Sequence, residues 1–318
     1  MSENKWPGPP GLIPVTDGSA KDANVIARNY LDAITVEMRI VDAVEADLSC
    51  EIFGRRFSSP IMTPAFSHLN KVGKDGKKPM VEYALAAREM DVLNWVGMEP
   101  DEEFGEILET GAPSVRIIKP FKDHDRVLSE MEYAVQHGAF AVGMDIDHVF
   151  GANGKYDVVD GIELGPVTKE DLTAYVKNAG VPFIAKGVLS VSDALKCAEA
   201  GVSGIFVSHH HGRIPYGIPP VQVLPEIRKA LEGSGIAIFC DCHMDSGYDA
   251  FKALALGADA VSAGRGILPP LLKDGKEGVV KKMTRMNEEL KELMGYTGFG
   301  TVSSISDDVL YLYGKKMR

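Results

Sequence analysis

Cysteine is scarce: 318 residues carry four, at Cys50, Cys197, Cys240 and Cys242. That number and scatter cannot form a disulfide framework, so the expected compartment is a reducing cytoplasm. Positive charge is also short, with 34 lysines and arginines against 45 aspartates and glutamates and a net charge of −11. A nucleic-acid-binding face wants the opposite balance, and nucleic acid is not an expected partner. A small anionic ligand stays possible, because a local field can oppose the global one. No apolar run reaches the roughly 18 residues of a membrane helix, and Met1 to Pro10 lacks the apolar core of a signal peptide. No Gly-x-Gly-x-x-Gly follows the first candidate strand, which disfavours an open dinucleotide-binding sheet. With no repeat and no linker, residues 1–318 are expected to form one domain.

What is present alternates. Residues 1–20 are rich in proline and glycine and read as an irregular arm. Residues 21–45 carry helical spacing at Val25, Ile26, Tyr30, Leu31, Ile34 and Met38. Residues 48–57 read as a hairpin that completes an N-terminal extension over 1–58. From Pro60 onward the candidate strands are Ile61–Pro64, Val92–Val96, Val115–Ile118, Ala139–Ile146, Pro182–Lys186, Gly204–Ser208, Ala237–Cys240 and Ala258–Ala263. Helical stretches separate them, and glycines such as Gly201 and Gly257 stand where left-handed helix caps belong. Eight strands with intervening helices imply a (β/α)8 TIM barrel over 59–295, closed by a helix from Val279 to Met294. Residues 296–318, with Val309, Leu310 and Leu312, are expected as a C-terminal helix.

Barrels place function at the C-terminal ends of their strands. Here those ends present Pro64, Ala65 and Phe66; Gly97; Lys119 and Phe121; Asp145 and Asp147; Lys186; Ser208 to Arg213; Asp241, Cys242 and His243; and Gly264 with Arg265. Two lysines and two arginines on one rim make an anion site, and the Gly264 loop stands where barrels commonly hold a phosphate. The sharpest stretch is Ser208-His209-His210-His211-Gly212-Arg213, which follows directly on the apolar Gly204-Ile205-Phe206-Val207. Imidazole exchanges protons near neutral pH, and guanidinium suits a carboxylate. Asp145 and Asp147, two apart in a strand, would face the same side, where one carboxylate could orient His210.

These residues resemble the FMN-dependent α-hydroxyacid oxidase and dehydrogenase family, over about Asn29 to Met294. The family's Ser-Asn-His-Gly-Gly-Arg loop is Ser208 to Arg213 here. Its leucine-proline-glutamate is Leu224-Pro225-Glu226, and its run after the seventh strand is Asp249 to Val261, followed by Gly264-Arg265. The resemblance implies a 2-hydroxy acid oxidised to a 2-oxo acid, with FMN as cofactor. It implies His210 as base, Asp147 as its partner and Arg213 as carboxylate clamp. Lys186 would lie at the N1/O2 edge of the flavin and Pro64, Ala65 and Phe66 along its face. Gly97, Lys119, Asp145 and Ser208 would be further flavin contacts, and Asp241, His243, Gly264 and Arg265 would hold the ribityl-phosphate end. Phe121 would line the substrate pocket. Family members commonly assemble as tetramers or octamers, so a homo-oligomer is expected; the electron acceptor is not readable.

The chain departs from the family at named positions. His209 and His211 replace an asparagine and a glycine around the histidine. The Asp-Gly-Gly-x-Arg phosphate loop reads Asp241-Cys242-His243-Met244-Asp245, with an acid where the arginine stands. Phe121 replaces a tyrosine and Lys119 a glutamine, and a second arginine after the fourth strand has no counterpart in residues 148–153. Alternative readings are a flavin-free barrel holding a transition metal through His209 to His211 and Cys240 to His243, a non-redox FMN isomerase, and a binding protein on an inactive barrel.

Overall fold

The computed structural model describes residues 18–73, 76–151 and 154–317. In chain order the elements begin with α1 (Ala23–Ala33), β1 (Ile34–Val36), β2 (Cys50–Ile52), β3 (Arg55–Phe57), β4 (Ile61–Met62), α2 (Pro79–Glu89), β5 (Asn94–Val96), α3 (Asp101–Glu109), β6 (Ser114–Ile118), α4 (His124–Gln136) and β7 (Ala141–Asp145). There follow β8 (Val158–Val159), β9 (Ile162–Glu163), α5 (Lys169–Ala179), β10 (Phe183–Val188), α6 (Val191–Ala200), β11 (Gly204–Val207), α7 (Pro220–Ala230), β12 (Ala237–Cys240), α8 (Gly247–Ala255), β13 (Ala260–Ser262), α9 (Leu268–Thr297), β14 (Leu310–Leu312) and β15 (Lys315–Lys316).

Eight strands pair in the order β4-β13-β12-β11-β10-β7-β6-β5, all parallel. The ring closes between β4 and β5 through a Phe66–Val96 bridge, where the Gly97 N–H donates to the Phe66 carbonyl at 2.7 Å. A Cβ on Gly97 would stand 2.3 Å from Ser67 Oγ, so glycine lets this seam close. The architecture is the (β/α)8 barrel. Polar side chains start its helices: Asp123, Thr168, Ser190 and Ser246 each accept a hydrogen bond from the backbone of the first turn.

Strand alternation sorts the side chains. Trp95, Val115, Ile117, Ala141, Ile184, Phe206 and Phe239 fill the interior, while Val142, Met144, Ala185, Ile205 and Val207 pack toward the helices. Trp95 meets Phe206 and Phe239 edge-on at 4.9 and 5.0 Å, contacts worth about 0.5–1.5 kcal/mol each beyond their burial. The β2–β3 hairpin stops the N-terminal end, with Phe53 6.0 Å from Phe239 and Phe57 5.8 Å from Phe140. Two residues beyond the interior Ile117, Gly143, Ile184, Phe206 and Phe239 stand Lys119, Asp145, Lys186, Ser208 and Asp241. The same alternation therefore aims these five into the opposite mouth.

Three expectations are corrected. The helix expected over 21–45 ends at Ala33, because the β-branched Ile34-Thr35-Val36 forms a strand paired with β14, Ile34 opposite Leu312. The C-terminal helix expected over 296–318 is absent among the described residues. After α9, two short 3₁₀ turns lead into the β14–β15 hairpin, turned by Tyr313 (φ 49°) and Gly314 (φ 75°). Leu310 and Leu312 share a strand face rather than a helix stripe. The fourth barrel strand ends at Asp145, so Asp147 sits in the following turn rather than on the strand. The arm expected over 1–20 lies almost wholly outside the described residues.

Candidate active site

Asp145 is the buried centre of the mouth. Lys119 Nζ donates to one carboxylate oxygen at 2.6 Å and Lys186 Nζ to the other at 2.7 Å, and all three side chains are almost fully enclosed. Burial alone would raise the Asp145 carboxyl. The charges of Lys119 and Lys186, and then of His210, overcome it and hold the group well below the ordinary carboxylate range.

The loop after β11 curls over this triad. Ser208 Oγ accepts the His210 N–H at 3.0 Å, and the His209 carbonyl accepts from the N–H groups of Gly212 and Arg213 at 3.0 and 2.9 Å. His210, His211 and Gly212 are consecutively left-handed, at φ 46°, 63° and 84°. This turn delivers His210 Nδ1 to the Asp147 carboxylate, 3.0 and 3.2 Å from its oxygens. Burial opposes ionisation of Asp147, yet His210 and Lys186 keep its carboxyl below the usual range. Arg213 leaves the same loop with its Nε buried and unpaired. His148 packs edge-on to His210 at 5.9 Å and shares a 2.8 Å hydrogen bond with Asp157. Burial, with the charges of Lys119 and Arg213, lowers its pKa to about 4, so the ring is neutral near pH 7.

On the other side of the mouth, the β12 loop turns through Cys242 (φ 67°) and His243 (φ 64°). The Cys242 thiol lies 2.9 Å from Asp241 Oδ1 and 3.3 Å from His209 Nδ1. Burial and Asp241 push that thiol's pKa far up, against a thiolate. Cys240 faces the helix side, fully buried, so the two cysteines do not converge. Among the described residues, the grouping with metal-ligand spacing is Asp145, Asp147 and His210. Lys119 and Lys186 already neutralise its central carboxylate. Helix α1 roofs this side: Arg265 donates to Asn24 Oδ1 at 2.9 Å, and Asn24 donates to the His211 carbonyl at 2.9 Å.

The mouth thus gathers Lys119, Asp145, Asp147, Lys186, Ser208, His210 and Arg213, with Asp241, His243, Gly264 and Arg265 beside them. Two expected residues are elsewhere. Phe66 packs behind the seam against Tyr83 at 6.3 Å, and Phe121 is buried in the wall under the Arg126 guanidinium, 4.4 Å away. Gly97 serves the closing seam. His148 with Asp157, and Asn24 on α1, were not singled out from the sequence. A histidine directly after Asp147 was the available signal for His148, whereas nothing local marks Asn24.

Fold and mouth define an α/β barrel with a buried lysine under a histidine–aspartate pair. The family described as FMN-dependent dehydrogenase matches this sequence over residues 9–174 and 162–312, and the chain belongs to it. It is an FMN-dependent oxidoreductase of the 2-hydroxy acid oxidase group, a divergent member. L-lactate oxidase of a Roseobacter species is 28% identical over 81% of this chain and 78% of that protein. The 4-hydroxymandelate oxidase of Amycolatopsis orientalis is 26% identical over 90% and 89%, and glycolate oxidase of Spinacia oleracea 27% over 88% and 85%. A solved mandelate oxidase with benzoyl-formic acid superposes with a TM-score of 0.81 at 26% identity, over 92% of this chain and 90% of that one. Another mandelate oxidase structure carries an FMN adduct.

The mouth fits FMN, the cofactor of this family. Lys186, buried and held by Asp145, would be the cation for the ring, and Ser208 and Lys119 would add donors beside it. Arg213 Nε, His209 Nε2 and His243 Nε2 are buried without a partner, and no atom lies within 4 Å of where a Cβ on Gly264 would be, so an anionic group such as the FMN phosphate would fit there. Among the described residues no helix is long and apolar enough to cross a membrane.

Proposed function

We propose that the chain oxidises a small 2-hydroxy acid to the corresponding 2-oxo acid, with His210 as the base and Arg213 as the carboxylate clamp. Bound FMN supplies the two-electron acceptor. The observation that carries the reading is the 3.0 Å contact between His210 Nδ1 and Asp147. It commits Nδ1 to a carboxylate, so Nε2 is the nitrogen left to take a proton from substrate, and Asp147 stabilises the imidazolium that results. Arg213, with an unpaired buried Nε, supplies the planar fork that a carboxylate accepts. The charges of Lys119, Arg213 and His210 all bear on His148, which supports a shared site. Lys186, held charged by Asp145, supports negative charge on the reduced ring. Lys119, Asp145 and Ser208 are the further ring contacts.

A cytoplasmic homo-oligomer completes the proposal. Exposed Met38, Ile40, Val41 and Val44 on the segment after β1 support self-association. The test is anaerobic mixing of the yellow protein with a panel of 2-hydroxy acids. Bleaching of the flavin bands with release of the 2-oxo acid is expected, and its loss by a factor of about 10²–10⁴ in His210→Asn. A flavin that no 2-hydroxy acid bleaches would refute the assignment.

A further inference from the structure

We propose that the phosphate of FMN is held by an imidazole cradle, His209 together with an Asp245-backed His243, in place of the arginine that the β12 loop lacks. The inference rests on FMN as cofactor and concerns which atoms grip it.

The tautomer of His209 is fixed by its neighbours. Gly212 N–H donates into His209 Nδ1 at 3.0 Å, and the Cys242 thiol lies 3.3 Å from the same nitrogen. Nδ1 is therefore an acceptor, and the neutral ring carries its proton on Nε2. That Nε2 is buried without a partner, in a residue only 2% exposed. A buried N–H with no acceptor costs about 1–3 kcal/mol, a cost that a phosphate oxygen would remove. Burial lowers the His209 pKa to about 4, with Asp241 opposing and His243 and Arg265 adding to the shift. The ring thus donates as a neutral imidazole.

His243 is the second arm. Its Nε2 is also buried and unpaired, while its Nδ1 faces Asp245 Oδ2 at 3.7 Å. Burial would raise the Asp245 carboxyl; the neighbouring His243, with Arg28 and Lys282, keeps it lowered. With Asp245 on the Nδ1 side, Nε2 is the ring nitrogen left for the anion. This accounts for an acid at the arginine position: Asp245 supports the ring that meets the anion. Arg28 donates to the His243 carbonyl at 3.4 Å and fixes the turn from behind.

Backbone strain points the same way. Cys242 and His243 occupy left-handed conformations at φ 67° and 64°, which cost a non-glycine residue roughly 1 kcal/mol or more each. Glycine would relieve the strain, so the chain keeps it in order to place side chains. Arg265 donates to Asn24, which itself donates to the His211 carbonyl, and this puts a permanent cation beside the cradle.

Only FMN carries the phosphate, so the two flavins separate the cradle from the ring site. Flavin-stripped protein is titrated with FMN and with riboflavin at pH 7, following flavin fluorescence. His209→Asn and His243→Gly should each weaken FMN at least tenfold and leave riboflavin unchanged. The double variant His243→Gly with Asp245→Arg should regain FMN affinity. Full FMN affinity in His209→Asn/His243→Gly, or an equal loss for both flavins, would overturn the cradle while FMN binding itself stands. Binding of neither flavin would overturn the cradle together with the cofactor reading.

Discussion

Asp145 shows what a single carboxylate does when two lysines converge on it inside a barrel. Removing it would leave two buried ammonium groups with no counter-charge. Asp145→Asn is therefore expected to destabilise the fold by about 3–5 kcal/mol, measured as a shifted urea midpoint with an unchanged slope. The pH dependence has a definite sign. The folded carboxyl titrates well below its unfolded value, which is about 3.9. Its contribution is complete above that value and is lost as the pH falls through it toward the folded pKa. Wild-type protein should lose stability between about pH 5 and pH 2 more steeply than Asp145→Asn does. Equal slopes would mean that the lysines do not control this carboxyl.

Among the elements, β10 combines a bulge with a chemical task. Its register shifts between Lys186 and Val188, and the intervening Gly187 has φ 93°. A Cβ there would stand 2.3 Å from the Asp147 carboxyl carbon. Gly187→Ala should push Asp147 off His210 and lower kcat by about tenfold or more, with KM nearly unchanged, since orientation rather than binding is lost. A pH profile of kcat displaced from wild type would separate this from general misfolding. The barrel strands were legible because nearly every one is an apolar run ended by a charge or a glycine, and alternation carried that reading through to Lys119, Asp145 and Lys186. What failed depends on distant partners. Ile34–Val36 becomes a strand because Leu310–Leu312 reaches it from the other end of the chain. Asp147 reaches His210 by leaving its strand. The β8–β9 hairpin is legible in Val158-Val159-Asp160-Gly161-Ile162, which carries the Asp-Gly turn signal, with φ 51° and 78° at its centre. Phe66 and Phe121 were misplaced because sequence says which residues end a strand but not which side of the seam or wall a loop side chain takes.

For the molecule as a whole, two fields compete for an anionic substrate. The chain carries a net charge of −11. At the mouth, Lys119, Lys186, Arg213 and Arg265 stand against Asp145, Asp147 and Asp241, which leaves one positive charge among these seven groups. The buried triad already spends most of that local field internally, since both lysines are engaged by one carboxylate. At about 10 mM ionic strength the screening length is roughly 30 Å, so an approaching 2-hydroxy acid senses most of the negative surface; at 150 mM it is about 8 Å, and the mouth dominates. Added salt should therefore raise kcat/KM for an anionic substrate, by severalfold between those limits, and leave kcat unchanged. Measured with a non-binding salt, a fall in kcat/KM over the same range would show instead that Arg213 and Arg265 project an attractive field beyond the rim, and that the acidic surface is too remote to oppose it.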